Sequence, residues 1–313
     1  MGRLPEPHPL DYDWRYSEAS VQAFAELLPV SQGILAVGAP SLARHLERAG
    51  REVCLVDRQP FQCVDNHRVA DIDAPTPVEK GFQTAVIDPP WYPADVRTWT
   101  AWAGNCVGID GSLFVTVWPS GTRPGDRDEY EQLLTWMAAW SEVSEYGLKP
   151  TYEVPSFEVA ASHSAFGGGL STSPRMGRLL HLKVNVPCAV PASRPKPVLW
   201  HRFVFNEYQI AVRPAHEGNA QPPHFARLPN VEGWNWPFVS RRAPGRDLID
   251  VWSSQNEIAV SATTGALVDA LRTLATLNDQ RSFERTLSNF PQLLEWRLPR
   301  PPYWRTFEWQ HQQ

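Results

Sequence analysis

At 313 residues the chain is long enough to bury a full core as one large or two modest domains, and it holds no apolar run near the roughly 20 residues of a membrane span and no secretory h-region over residues 1–7, so a soluble, cytoplasmic protein without a membrane partner is expected. Its four cysteines, at 54, 63, 106 and 188, form no C-x-x-C pair, which argues against a disulfide framework or a zinc ribbon and leaves no metal site in prospect. A net charge of −5 disfavours indiscriminate nucleic-acid binding, yet residues 1–150 carry 12 Lys/Arg against 21 Asp/Glu and residues 151–313 carry 17 against 13, so the second half is the better face for an anionic partner.

Residues 1–10 read as a lead. Ser17 is a good N-cap for a helix over 18–28, with Val21, Phe24, Leu27 and Leu28 at helical spacing and Pro29 where it should stop. The run 33–38 reads as a buried strand, after which Ala39-Pro40-Ser41 opens a helix over 42–49 and Gly50 closes it. A second strand, 52–57, ends in Asp57 about 20 residues beyond the turn, with Arg58 opening the loop that follows. Small residues after strand one and an acid after strand two are how doubly wound folds hold a nucleoside. The turn Gly38-Ala39-Pro40-Ser41-Leu42-Ala43 has a single glycine, which disfavours the pyrophosphate of a dinucleotide and suits a nucleoside ligand without phosphate.

A short third strand over 67–73 ends in the acids Asp71 and Asp73. The fourth strand, 84–88, runs into Asp88-Pro89-Pro90-Trp91-Tyr92-Pro93. Proline cannot continue a ladder, and each proline holds the residue before it extended, so the acid and its neighbouring carbonyls are pinned. A carboxylate, a fixed carbonyl and an aromatic face suit the handling of an amino group on a heteroaromatic ring.

A helix over 94–105 and a strand over 112–118 follow. The loop Pro119-Ser120-Gly121-Thr122-Arg123-Pro124-Gly125 lies at that strand's carboxyl end, where Thr122 and Arg123 meet substrate or shape the pocket rim. A helix over 127–141 presents Tyr130, Leu133, Leu134, Met137 and Trp140 as a core stripe. Strands over 152–159 and 177–186, antiparallel, are expected to complete a seven-stranded sheet. Between them the Gly- and Ser-rich stretch 166–175 is either a lid or a plain connection, with Arg175 and Arg178 nearby.

Farther on, strands over 198–204 and 207–212 form a hairpin about Asn206, helices are expected over 264–277 and 280–288, and 296–309 is rich in proline and aromatics. That combination is compatible with a small winged-helix-like module. Arg241, Arg242 and Arg246 form the densest basic group. The fold expected is α/β, a doubly wound Rossmann-like sheet over 1–186 with a C-terminal α+β extension over 187–313.

Asp88-Pro89-Pro90-Trp91 resembles the catalytic tetrapeptide of amino-group methyltransferases that use S-adenosylmethionine, above all the adenine-N6 class. With the turn, the ribose acid and the third-strand acid in this order, residues 10–186 resemble an unpermuted class I methyltransferase. The resemblance implies S-adenosylmethionine as cofactor, held by Gly38, Ala39, Pro40, Asp57, Arg58, Asp71 and Ile72, and nucleic acid as substrate. It further implies that Asp88 and the Pro89 carbonyl accept the N–H bonds of the target amine, that Pro90 stiffens the corner, and that Trp91 or Tyr92 stacks on the base. Asp13-Trp14-Arg15-Tyr16 sits where such enzymes close over the methionine end of the cofactor, or else packs as a helix entry. Two alternatives stand. Asp11-Tyr12-Asp13 and the Asp-Pro-Pro loop are also similar to branched-chain polyamine synthases, which transfer an aminopropyl group. The single-glycine turn fits a non-catalytic binding module whose 187–313 region meets a protein partner.

Overall fold

The computed structural model describes residues 3–11, 13–30, 32–72, 81–167, 174–189, 199–214, 225–238, 240 and 243–312. The chain divides into two compact units.

The first unit comprises 14–153 and 174–195, with the first two residues. Helix α1 (Glu18–Leu27) starts where Ser17 Oγ accepts the Ser20 amide at 3.3 Å and buries Val21 and Phe24. Strand β1 (Ile34–Val37), helix α2 (Pro40–Arg48) and strands β2 (Val53–Asp57), β3 (His67–Val69) and β4 (Thr84–Ile87) follow. Then come α3 (Pro93–Val107), β5 (Ser112–Val117), α4 (Asp126–Ala138), β6 (Ser141–Tyr146) and β7 (Arg178–Val184). They form one seven-stranded sheet in the order β3-β2-β1-β4-β5-β7-β6. The first five strands in that order are parallel, and β7 runs antiparallel to both of its neighbours. Every residue of β1 and β4 is buried, which is why both read as unbroken apolar runs. Helix α2 packs on β1 and β2, and α3 packs on β4 and β5. The doubly wound α/β fold is as expected, and Cys54, Cys63 and Cys106 are buried within it, none of them in a disulfide.

Four elements differ from expectation. The sixth strand is Ser141–Tyr146 rather than 152–159, and α4 accordingly stops at Ala138. This strand pairs on one side only and is mostly exposed, and Val143 alone of Ser-Glu-Val-Ser-Glu-Tyr packs on the core as an apolar side chain, too little to announce a strand. The stretch read as a strand instead breaks at Pro155 and enters helix α5 (Ser156–Phe166), which belongs to the second unit. Strand β3 ends at Val69, leaving Asp71 and Ile72 just beyond it.

The second unit gathers 3–13, 154–173 and 196–313. Strands β8 (Leu199–Phe205), β9 (Tyr208–Val212), β10 (Phe225–Ala226), β11 (Val251–Ser253), β12 (Ile258–Ser261) and β13 (Thr306–Gln312) form an antiparallel sheet in the order β10-β12-β11-β9-β8-β13. Helices α6 (Thr264–Leu274) and α7 (Gln280–Thr286) accompany it. The hairpin turns at Asn206, whose φ of 60° suits asparagine. A six-stranded sheet thus replaces the winged-helix-like module. Its extra strands are two to four residues long or follow a proline-rich stretch, too brief to show a period. On its buried side Arg202 pairs with Asp11 at 2.8 Å. Arg246 stacks on Trp252 at 4.5 Å, while Arg241, Arg242 and residues 168–173 lie outside the described residues. Among the described residues no helix is long and apolar enough to cross a membrane, and no group of three His, Cys, Asp or Glu is arranged to hold a metal ion.

Candidate active site

The parallel strands bring three of the expected positions to one edge of the first unit. The Asp88 amide makes a ladder bond to the Val37 carbonyl at 2.9 Å, after which Pro89 and Pro90 end the pairing. The Tyr92 amide then turns back to the Pro90 carbonyl at 2.7 Å, and the Tyr92 carbonyl accepts the Val96 amide to start α3. The tetrapeptide is therefore fastened at both ends. One strand away, the Gly38 amide donates to the Val56 carbonyl at 2.9 Å, tying the β1 turn to β2, which ends at Asp57. Gly38 has a φ of +65°, and a Cβ there would stand 2.5 Å from the Trp99 ring and 2.9 Å from the Asp88 carbonyl oxygen. Only glycine fits a position that is both left-handed and this crowded.

The Asp88 carboxylate is half-buried, and the Tyr152 hydroxyl donates to its Oδ1 at 2.6 Å. The Tyr16 hydroxyl, 2.6 Å from Thr116 Oγ1, interacts with the same carboxylate. Both tyrosines are buried. Burial, and then the charge of Asp88, push both phenols well above their usual range, so they stay protonated donors. Trp91 stands edge-on to the Tyr152 ring at 5.6 Å, Trp14 at 6.5 Å, and Arg175 caps Trp14 at 3.9 Å. The result is a carboxylate set in a wall of aromatics. Tyr152 carries the geometry without having been singled out by the sequence, and Tyr16 was marked only as part of the Asp13-Trp14-Arg15-Tyr16 segment, not as a partner of Asp88. Their only local signal is an aromatic in a polar stretch, and Tyr152 lies 64 residues from its partner.

Arg123 faces inward. Its guanidinium donates to the Trp91 carbonyl at 2.9 Å, pairs with Glu129, and lies 4.8 Å over the Trp118 ring and 6.0 Å from that of Tyr92. It clamps the tetrapeptide loop. Thr122 shapes its own loop, its hydroxyl donating to the Pro119 carbonyl and its amide to Asp126 Oδ2.

The positions expected to meet a cofactor close or follow β1, β2 and β3. Ala39 is buried, and Pro40 occupies the first turn of α2. Asp57 Oδ1 accepts the Gln59 amide at 2.8 Å, which fixes the carboxylate at the end of β2, and Arg58 is half-buried beside it. Asp71 is half-buried, and Ile72 is buried in the core under the sheet. A turn of small residues, an acid that ends β2 and an acid with an apolar neighbour after β3 would suit a nucleoside.

No family model matches the chain, and no curated protein does. Among solved structures it is similar to the branched-chain polyamine synthase of Thermus thermophilus at 13% identity and a TM-score of 0.49. That match covers 61% of this chain and 64%, less than two thirds, of the synthase. It is also similar to the T. thermophilus 16S rRNA N2 G1207 methyltransferase in complex with AdoMet and guanosine, at 14% identity and a TM-score of 0.37, over 70% of this chain and 55% of that one. A third similarity is to the N-methyltransferase NodS of Bradyrhizobium japonicum, at 14% identity and a TM-score of 0.34, over 53% and 95% of the two chains.

Proposed function

We propose that the protein is an S-adenosylmethionine-dependent N-methyltransferase acting on an exocyclic amino group, adenine N6 of DNA or RNA. The observation that carries this reading is the Asp88 carboxylate, buttressed by Tyr152 on a proline-fixed corner one strand from the Gly38 turn. Gly38, Ala39 and Pro40 would line the methionine side of the cofactor, Asp57 its ribose, and Asp71 with Ile72 its adenine. S-adenosylmethionine, when bound, supplies a methyl group on a sulfonium.

The protein's own part is orientation. Asp88 accepts one N–H of the target amine and the Pro89 carbonyl the other, turning the nitrogen lone pair towards the incoming carbon. Trp91 and Tyr92 supply aromatic faces for the base, and Arg123 keeps their loop from shifting. No strong base is required, because the alkylated amine is itself acidic and releases its proton once the new N–C bond has formed. A base within a duplex must first be flipped out of the stack.

The test is transfer of labelled methyl from S-adenosylmethionine to nucleic-acid, protein and small-molecule fractions. Label in nucleic acid, recovered as N6-methyladenine and abolished by Asp88→Ala, is expected. Label confined to protein or small amines, or unaffected by Asp88→Ala, contradicts the reading.

A further inference from the structure

We infer that Tyr152, seconded by Tyr16, is a positioning residue for Asp88: the two hydroxyls set the plane of its carboxylate to receive the target amine. This rests on the reading of Asp88 as the amine's acceptor. The prolines fix the backbone at 88 but leave the side chain its own torsions, and an acceptor that rotates loses the alignment on which the reaction depends. The 2.6 Å bond from Tyr152 to Oδ1 removes that freedom.

The tyrosines are themselves immobile. Segments 14–17 and 151–153 pair in antiparallel fashion, with Tyr16 opposite Tyr152, the Ser17 amide on the Thr151 carbonyl at 2.9 Å and the Glu153 amide on the Arg15 carbonyl at 2.9 Å. The Tyr152 ring stands between Trp91 and Trp14, and Tyr16 packs on Phe24 at 5.0 Å. Thr116 on β5 completes the hydroxyl cluster at 2.6 Å from Tyr16. Tyr16 and Tyr152 reach Asp88 from the segments before α1 and after β6. Around the same corner α3 contributes the Trp99 ring, the β1 turn the Gly38 backbone and β5 Thr116, none of which titrates.

Tyr152→Phe keeps the ring and deletes the donor. A hydrogen bond to a carboxylate favours its ionised form, so losing one moves protonation to higher pH. The carbon-13 resonance of the Asp88 carboxyl, assigned by its disappearance in Asp88→Asn, should titrate about one pH unit higher in Tyr152→Phe. In the same variant kcat/KM for the amine should fall about tenfold while affinity for S-adenosylmethionine stays within about twofold. If Tyr152→Phe does not fold, Tyr16→Phe carries the same titration, with the shift expected in the same direction. An unmoved midpoint overturns the positioning role whatever the activity. A moved midpoint in a protein that methylates no amine overturns the methyltransferase reading instead and leaves the orientation of Asp88 by Tyr152 standing.

Discussion

Gly38 shows how much a single residue carries. Its φ of +65° costs any side chain about 1–2 kcal/mol. A methyl group there would also meet the Trp99 ring at 2.5 Å and the Asp88 carbonyl at 2.9 Å. Gly38→Ala should therefore destabilise the first unit by about 2–4 kcal/mol in urea unfolding and weaken cofactor binding; a wild-type midpoint would show that the turn relaxes freely. At this scale the sequence was legible where the chemistry is local. Asp88, its two prolines and Gly38 are neighbours along the chain of the strands they terminate, and their types announce the turn each makes. Tyr152 was not legible, nor was the part Tyr16 plays beside it, because both depend on a pairing between segments more than 130 positions apart that no short-range pattern encodes. Arg123 was legible as a residue of the right edge, but its partners turn it onto the loop rather than towards a ligand.

Among the elements, the loop 119–125 has the clearest mechanical part. Through Arg123 it holds the Trp91 carbonyl, Glu129 and the faces of Trp118 and Tyr92 together. Arg123→Ala should cost about 1–3 kcal/mol and lower turnover with little change in cofactor affinity. Arg123→Lys should recover only part of it, since one ammonium cannot bond Trp91 and Glu129 in a fork while stacking on Trp118. Full stability and turnover in Arg123→Ala would remove the loop from the account. Strands β1, β2, β4 and β5 were readable because burial on both faces makes them nearly continuous apolar runs between turn signals. The edge strand β6 and helix α5 were not. One is exposed and nearly periodless, and the other follows a proline after a few residues that alternate like a strand. In the second unit the Asn206 hairpin was visible from its turn chemistry, whereas the short strands β10 to β12 acquire their identity only from the sheet they join.

For the molecule as a whole, topology does what no single residue can. Five parallel strands in the order β3-β2-β1-β4-β5 leave their carboxyl ends along one edge, so Gly38, Asp57 and Asp88 become neighbours although up to 50 positions separate them in the chain. The doubly wound fold was foreseeable from the small-residue turn after the first strand and the acid that ends the second. The composition of the second unit from three separate stretches was not, because linear composition carries no record of which distant segments share a core. The central claim is that the acid-proline corner and a sulfonium cofactor share this edge. The most direct measurement is a crystal structure of the protein soaked with S-adenosylhomocysteine. The account predicts the ligand across the ends of β1, β2 and β4, with its ribose on Asp57, its adenine beside Ile72 and its sulfur turned towards Asp88. A ligand bound elsewhere, or none at concentrations that saturate a methyltransferase, would contradict it.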